Sequence, residues 1–140
     1  MDSPLQYWNT LANQIIVISS LLAGFSITVI ANLIVHEAND RLTLRLLKTA
    51  SIATACFLIT VFAMTNILML TTAGYPYKVT ASDLVFSKGI GVITFLFGIG
   101  ALFMIIALSG WTKNRKTGIF TTVVALVTFI LVLSTMIRVG

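Results

Sequence analysis

Charge is what this sequence has least of. Four acidic and nine basic side chains make up 9% of its 140 residues, whereas 58% are apolar. A soluble domain carries about 25% charged residues. So few ionic groups cannot coat a soluble globule of this length, which excludes an ordinary soluble enzyme and a disordered tail. Cysteine is nearly absent too: Cys56 stands alone, so no intrachain disulfide can form. There is no glycosylation sequon and no terminal lipidation motif. The first residues hold Asp2 but no Lys or Arg, and the apolar stretch that follows is longer than a signal-peptide core, so a cleaved leader is not expected.

The charges that do occur bracket four gaps. No Asp, Glu, Lys, Arg or His lies in 3–35, 49–77, 89–112 or 117–137, stretches of 33, 29, 24 and 21 residues. A bilayer core of about 30 Å needs about 20 helical residues. Each gap therefore fits one spanning helix and none fits two. The spacing predicts spans at 14–35, 47–73, 89–110 and 119–138, and an all-α integral membrane bundle of four transmembrane helices over 1–140 as a single domain. A β-barrel would alternate polarity along each strand. Runs such as Ile15 to Ile18 and Gly100 to Ile106 do not.

Four spans put the 36–48 and 111–118 loops on one side. That side holds Arg41, Arg45, Lys48, Lys113, Arg115 and Lys116, against Lys78, Lys88 and Arg138 on the other. The excess of basic residues marks the first side as cytoplasmic. Both termini are then expected outside, in the plasma membrane or a bacterial inner membrane. Tyr7, Trp8, Tyr75, Tyr77 and Trp111 stand at span edges, where aromatic belts form. Gly74 and Pro76 are expected to end the second helix. Ser87 is expected to cap the third, with Ser82 and Asp83 as earlier candidates. Residues 75–88 could form a short interfacial helix with Val79, Leu84, Val85 and Phe86 facing lipid. Asn114 and Gly118 imply a tight turn between antiparallel third and fourth helices.

Small and hydroxylated residues, rather than large apolar ones, choose helix interfaces in lipid. Such seams read Ser20, Gly24, Thr28, Asn32 in the first helix and Ala53, Cys56, Thr60, Ala63 in the second. They read Gly91, Thr94, Gly98, Ala101 in the third and Thr121, Ala125, Thr128, Thr135 in the fourth. The first helix is the most polar, adding Asn13, Gln14, Ser19 and Ser26. Asn32 has two readings: an interhelical hydrogen bond to Thr65 or Asn66, or a ring of carboxamides at a pore mouth. In the second reading Thr28, Gly24 and Ser20 line the path below it.

The stretch from Ser20 to Ile27 resembles the pore-lining first transmembrane helix of the Orai calcium channels, which reads Ser-x-Leu-Leu-x-Gly-Phe. Orai subunits also have four spans. In the same register Asn32 falls where the family places its selectivity-filter Glu. The resemblance therefore implies a pore architecture without a carboxylate ring, and carboxamides are neutral donors and acceptors. The family's cytosolic N-terminus is opposite to the charge count here.

No ionisable group lies deep in a span, which argues against a proton-coupled transporter. No nucleophile elbow or zinc motif is present, so no enzyme activity and no cofactor are expected. His36, Glu37 and Asp40 cluster after the first helix. They read as a polar loop, with Glu37 and Asp40 as cation-attracting candidates, and no metal site is expected. Lys113, Arg115 and Lys116 read as a topology anchor that could hold anionic lipid headgroups. Nucleic acid is not an expected partner. The bilayer is, together with further copies of the chain and a protein partner for regulation. Two functions fit: a homo-oligomeric ion channel or pore, possibly membrane-permeabilising, or a non-conducting anchor or sensor subunit of a larger complex.

Overall fold

A computed structural model describes residues 3–35 and 40–139. They form four α-helices: α1 Ser3–Val35, α2 Arg41–Thr71, α3 Ala81–Trp111 and α4 Arg115–Val139. No strand occurs among the described residues. All four helices are long and apolar enough to cross a membrane. The protein is thus all-α, with the composition of a membrane-embedded chain.

Each helix begins before its expected span. Helices α1 to α3 have 31 to 33 residues. At 1.5 Å per residue that is about 46–50 Å, beyond the ~30 Å hydrocarbon core and comparable to a whole bilayer with its headgroups. Charge and polarity mark where a helix leaves lipid, not where it stops being a helix. Arg41, Arg45 and Lys48 are good helix formers and lie within α2.

The third helix corrects two expectations. Its cap is Thr80, not Ser87, Ser82 or Asp83. The Thr80 backbone N–H donates to Asp83 Oδ2 at 2.8 Å and its hydroxyl to the same oxygen at 2.7 Å. A Thr with an acid three residues on satisfies the exposed amides of the first turn, so the helix starts here. The separate interfacial helix does not exist, because 81–88 are the first turns of α3. Val85 and Phe86 are exposed, but Leu84 is buried and Val79 half-buried.

The chain divides into two compact units. One takes the chain through Phe25 together with Thr54–Gly98; the other takes Ser26–Ala53 and the chain from Ile99 on. In the first unit Ala12, Met64, Ile67 and Leu84 form a buried cluster, flanked by Trp8, Ile15, Ile16, Leu68, Leu70 and Val79. Phe57 is also fully buried. Its ring meets Phe95 edge-to-face at 6.4 Å and lies 2.8 Å from where a Cβ on Gly98 would stand. The end of Met64 fills the equivalent space at Gly91. Glycine here lets large side chains reach the backbone of α3. The hydroxyls of Thr60 and Thr94 pair at 2.8 Å, and Asn66 Nδ2 donates to Ser87 Oγ at 2.7 Å. Such bonds are how polar groups are tolerated in a membrane interior.

In the second unit Leu46, Ala50, Ala53, Leu102, Ile105 and Ala125 are buried. Phe103 and Phe129 stack at 5.5 Å. The α3–α4 turn is tight, as its Asn and Gly imply. Asn114 Oδ1 accepts from the Thr117 amide at 2.8 Å, and Trp111 Nε1 donates to Thr122 Oγ1 at 3.0 Å. A Cβ on Gly118 would strike the Trp111 indole, so the glycine is what lets the two helices close on the ring.

Candidate functional site

Helix α1 carries the strongest functional signal in the sequence, and its packing differs from expectation. The small-residue face that packs inside the subunit is Ala12, Ser19 and Ala23 in the first unit, with Ser26 buried in the second. Alternating steps of four and three keep these positions on one side of a helix. The expected seam is on the other side. Ser20 and Gly24 in the first unit, and Thr28 and Asn32 in the second, are all exposed. As an intrachain packing seam that set is therefore incorrect. The reason is periodic: Ser19 and Ser20 are adjacent in sequence but about 100° apart around the axis. Composition alone does not say which of two small-residue stripes faces inward.

The two stripes also differ chemically. Gln6, Thr10, Asn13 and Gln14 are exposed on α1 in the first unit, along with Ser20 and Gly24. No neighbouring element comes within 4 Å of where a Cβ on Gly24 would stand. A mid-helix glycine costs about 1 kcal/mol relative to alanine. Within the subunit no close approach offsets that cost at Gly24, in contrast to Gly91, Gly98, Gly110 and Gly118. Gly89 and Gly100 on α3 are similarly open. On the inward side Ser19 Oγ is buried and makes no hydrogen bond among the described residues.

Asn32 was expected to reach Thr65 or Asn66. Asn66 gives its amide to Ser87, and Thr65 donates to the Val61 carbonyl at 2.7 Å. The seams of α2 and α3 do pack inside. Ala53, Thr60, Gly91 and Gly98 are buried, and Cys56, Ala63, Thr94 and Ala101 half-buried. The α4 seam holds only in part, since Ala125 is buried and Thr121 half-buried, while Thr128 and Thr135 are exposed. Thr135 donates to the Leu131 carbonyl at 2.9 Å, which satisfies its hydroxyl without a second helix.

The charged candidates lie at helix ends. Asp40 precedes α2. Its carboxylate accepts from Thr43 Oγ1 at 2.6 Å and its carbonyl from the Leu44 amide at 3.1 Å. An acid there complements the helix dipole. His36 and Glu37 lie outside the described residues. Among the described residues no group of three His, Cys, Asp or Glu could hold a metal. Lys113, Arg115 and Lys116 are all exposed around the α3–α4 turn. Lys88 is the basic residue furthest from this pattern: its Nζ sits 4.0 Å above the Trp8 ring. That cation–π contact ties the start of α1 to α3 and went unforeseen, because the two residues are 80 positions apart.

Comparison with known proteins finds no family model, no curated protein and no solved structure that matches the chain.

Proposed function

We propose that the protein is a homo-oligomeric pore in which α1 faces the path, with Ser20, Gly24, Thr28 and Asn32 as the lining. One observation carries this reading: these four residues are exposed on a helix otherwise built for lipid. Hydroxyl and amide groups facing hydrocarbon are costly, and copies of the chain meeting around an axis remove them from it. Water in the path would solvate the same groups. Asn32 at the mouth would present a neutral ring, so the pore would lack the cation field of a carboxylate ring, consistent with the departure from the Orai pattern. The membrane is the plasma membrane or a bacterial inner membrane, with the Lys113, Arg115 and Lys116 turn on the cytoplasmic side and both termini outside.

The experiment is conductance of the purified protein in planar bilayers, with Asn32→Asp as the variant. Asn32→Asp should shift reversal potentials toward cation selectivity. A conducting protein with unchanged selectivity removes Asn32 from the path. A second reading uses the same outward face to hold a different membrane protein, making the chain a non-conducting subunit. The charge-free spans favour it, and a silent bilayer together with a monomer in detergent would select it.

A further inference from the structure

A groove of about 370 Å³ opens where the start of α1 meets the end of α2 and the segment after it, all within the first unit. Ligand pockets run from about 300 to 1,000 Å³, so this one suits a headgroup rather than a large cofactor. It is lined by Gln6, Thr71, Thr72, Tyr75 and Tyr77. An adjoining depression of the same volume shares Gln6, Thr71 and Thr72 and adds Asn9. No Lys, Arg, His, Asp or Glu lines either one.

The hydrogen bonds already made decide what the groove can offer. Thr71 Oγ1 donates to the Ile67 carbonyl at 2.7 Å, and Thr72 Oγ1 donates to the Leu68 carbonyl at 2.5 Å. Asn9 Nδ2 donates to Thr71 Oγ1 at 3.0 Å and to Thr72 Oγ1 at 3.5 Å. The hydroxyl protons and the Asn9 amide are thus committed. What remains is mostly lone pairs, on the two threonine oxygens and on Asn9 Oδ1. The rings of Tyr75 and Tyr77 meet edge-to-face at 5.9 Å beside them.

An acceptor-rich, uncharged groove repels an anion and has too few donors to serve each oxygen of a sugar. A primary ammonium has three donors and no acceptor, and aromatic faces attract its charge. Tyr7, Trp8, Tyr75 and Tyr77 all lie at this end of the unit, the aromatic signature of the headgroup layer. We propose that the groove binds the primary ammonium of a phosphoethanolamine lipid headgroup. Asn9, Thr71 and Thr72 accept its N–H groups, and Tyr75 and Tyr77 stand against its charge.

The test is native mass spectrometry of the full chain, released from nanodiscs holding phosphatidylethanolamine, phosphatidylcholine and phosphatidylglycerol in equal amounts. Phosphatidylethanolamine should be retained about tenfold over phosphatidylcholine, which has the same charge but no N–H donor. It should also be retained over phosphatidylglycerol. Thr72→Val, which removes an acceptor at constant shape, should abolish the preference while helicity is unchanged. Thr72→Ser should restore it, and Tyr77→Ala should weaken it. Equal retention of the three lipids, a preference for phosphatidylglycerol, or a preference that survives both Thr72→Val and Tyr77→Ala overturns the proposal. Water-soluble glycerophosphoethanolamine should fail to displace the lipid. Displacement at matched concentration would assign the groove to a soluble amine and overturn the lipid assignment.

Discussion

Gly98 and Gly24 stand in the same kind of sequence, each a small residue in a seam with steps of three and four. The structure treats them oppositely. Gly98 is buried beneath the Phe57 ring, which lies 2.8 Å from the position of an added Cβ. Gly24 is exposed, with no neighbouring element within 4 Å of that position. One glycine is explained by the subunit and the other is not. The same difference separates Thr60, paired with Thr94 inside the first unit, from Ser20, which faces outward. Small residues in a membrane helix therefore mark where something packs closely, without saying whether it belongs to the same chain.

Four substitutions grade this comparison. Gly98→Ala should have the largest effect. Phe57 is a buried ring with no flexible end to withdraw, so overpacking should cost about 1–3 kcal/mol, measured as unfolding in an SDS titration. Gly24→Ala should act in the opposite direction. It should stabilise the monomer by up to about 1 kcal/mol through helix propensity, while the proposed oligomer loses population in light-scattering measurements. A monomer destabilised by Gly24→Ala would mean that the outward face packs within the subunit. Thr60→Val should cost about 0.6 kcal/mol, the average for a hydrogen bond between membrane helices, and a double-mutant cycle with Thr94→Val should return most of that cost as coupling. Gly91→Ala should be smallest. The Cβ would meet the end of the Met64 side chain, which can swing aside, and the gain in propensity offsets what strain remains; the same SDS titration should find it within about 0.5 kcal/mol of the parent chain.

The groove beside Tyr75 and Tyr77 shows a different limit on reading the sequence. Asn9, Thr71 and Thr72 are unremarkable polar residues near the ends of two apolar stretches. Only the return of α2 beside α1 puts an amide on two hydroxyls some 60 residues away. The Lys88–Trp8 contact was hidden for the same reason. Thr80 as the cap of α3 was legible, because a Thr followed three residues later by Asp is a local pattern. Charge gaps drew the reading toward Ser87 instead, since they locate lipid rather than helix ends.

Charge-free stretches long enough to cross a bilayer determined, by themselves, that the chain is helical and membrane-embedded and that it has four spans. Lipid offers the backbone no hydrogen bonds, so an apolar run of that length has no other way to satisfy itself. The tight α3–α4 turn and the inward seams of α2 and α3 were also local enough to read. Tertiary structure alone decided that α1 turns Ala12, Ser19 and Ala23 inward and leaves Ser20 and Gly24 outside. Adjacent residues on a helix point about 100° apart. With two small-residue stripes on one helix, hydrophobicity cannot choose between them, and close packing against the neighbouring helices does.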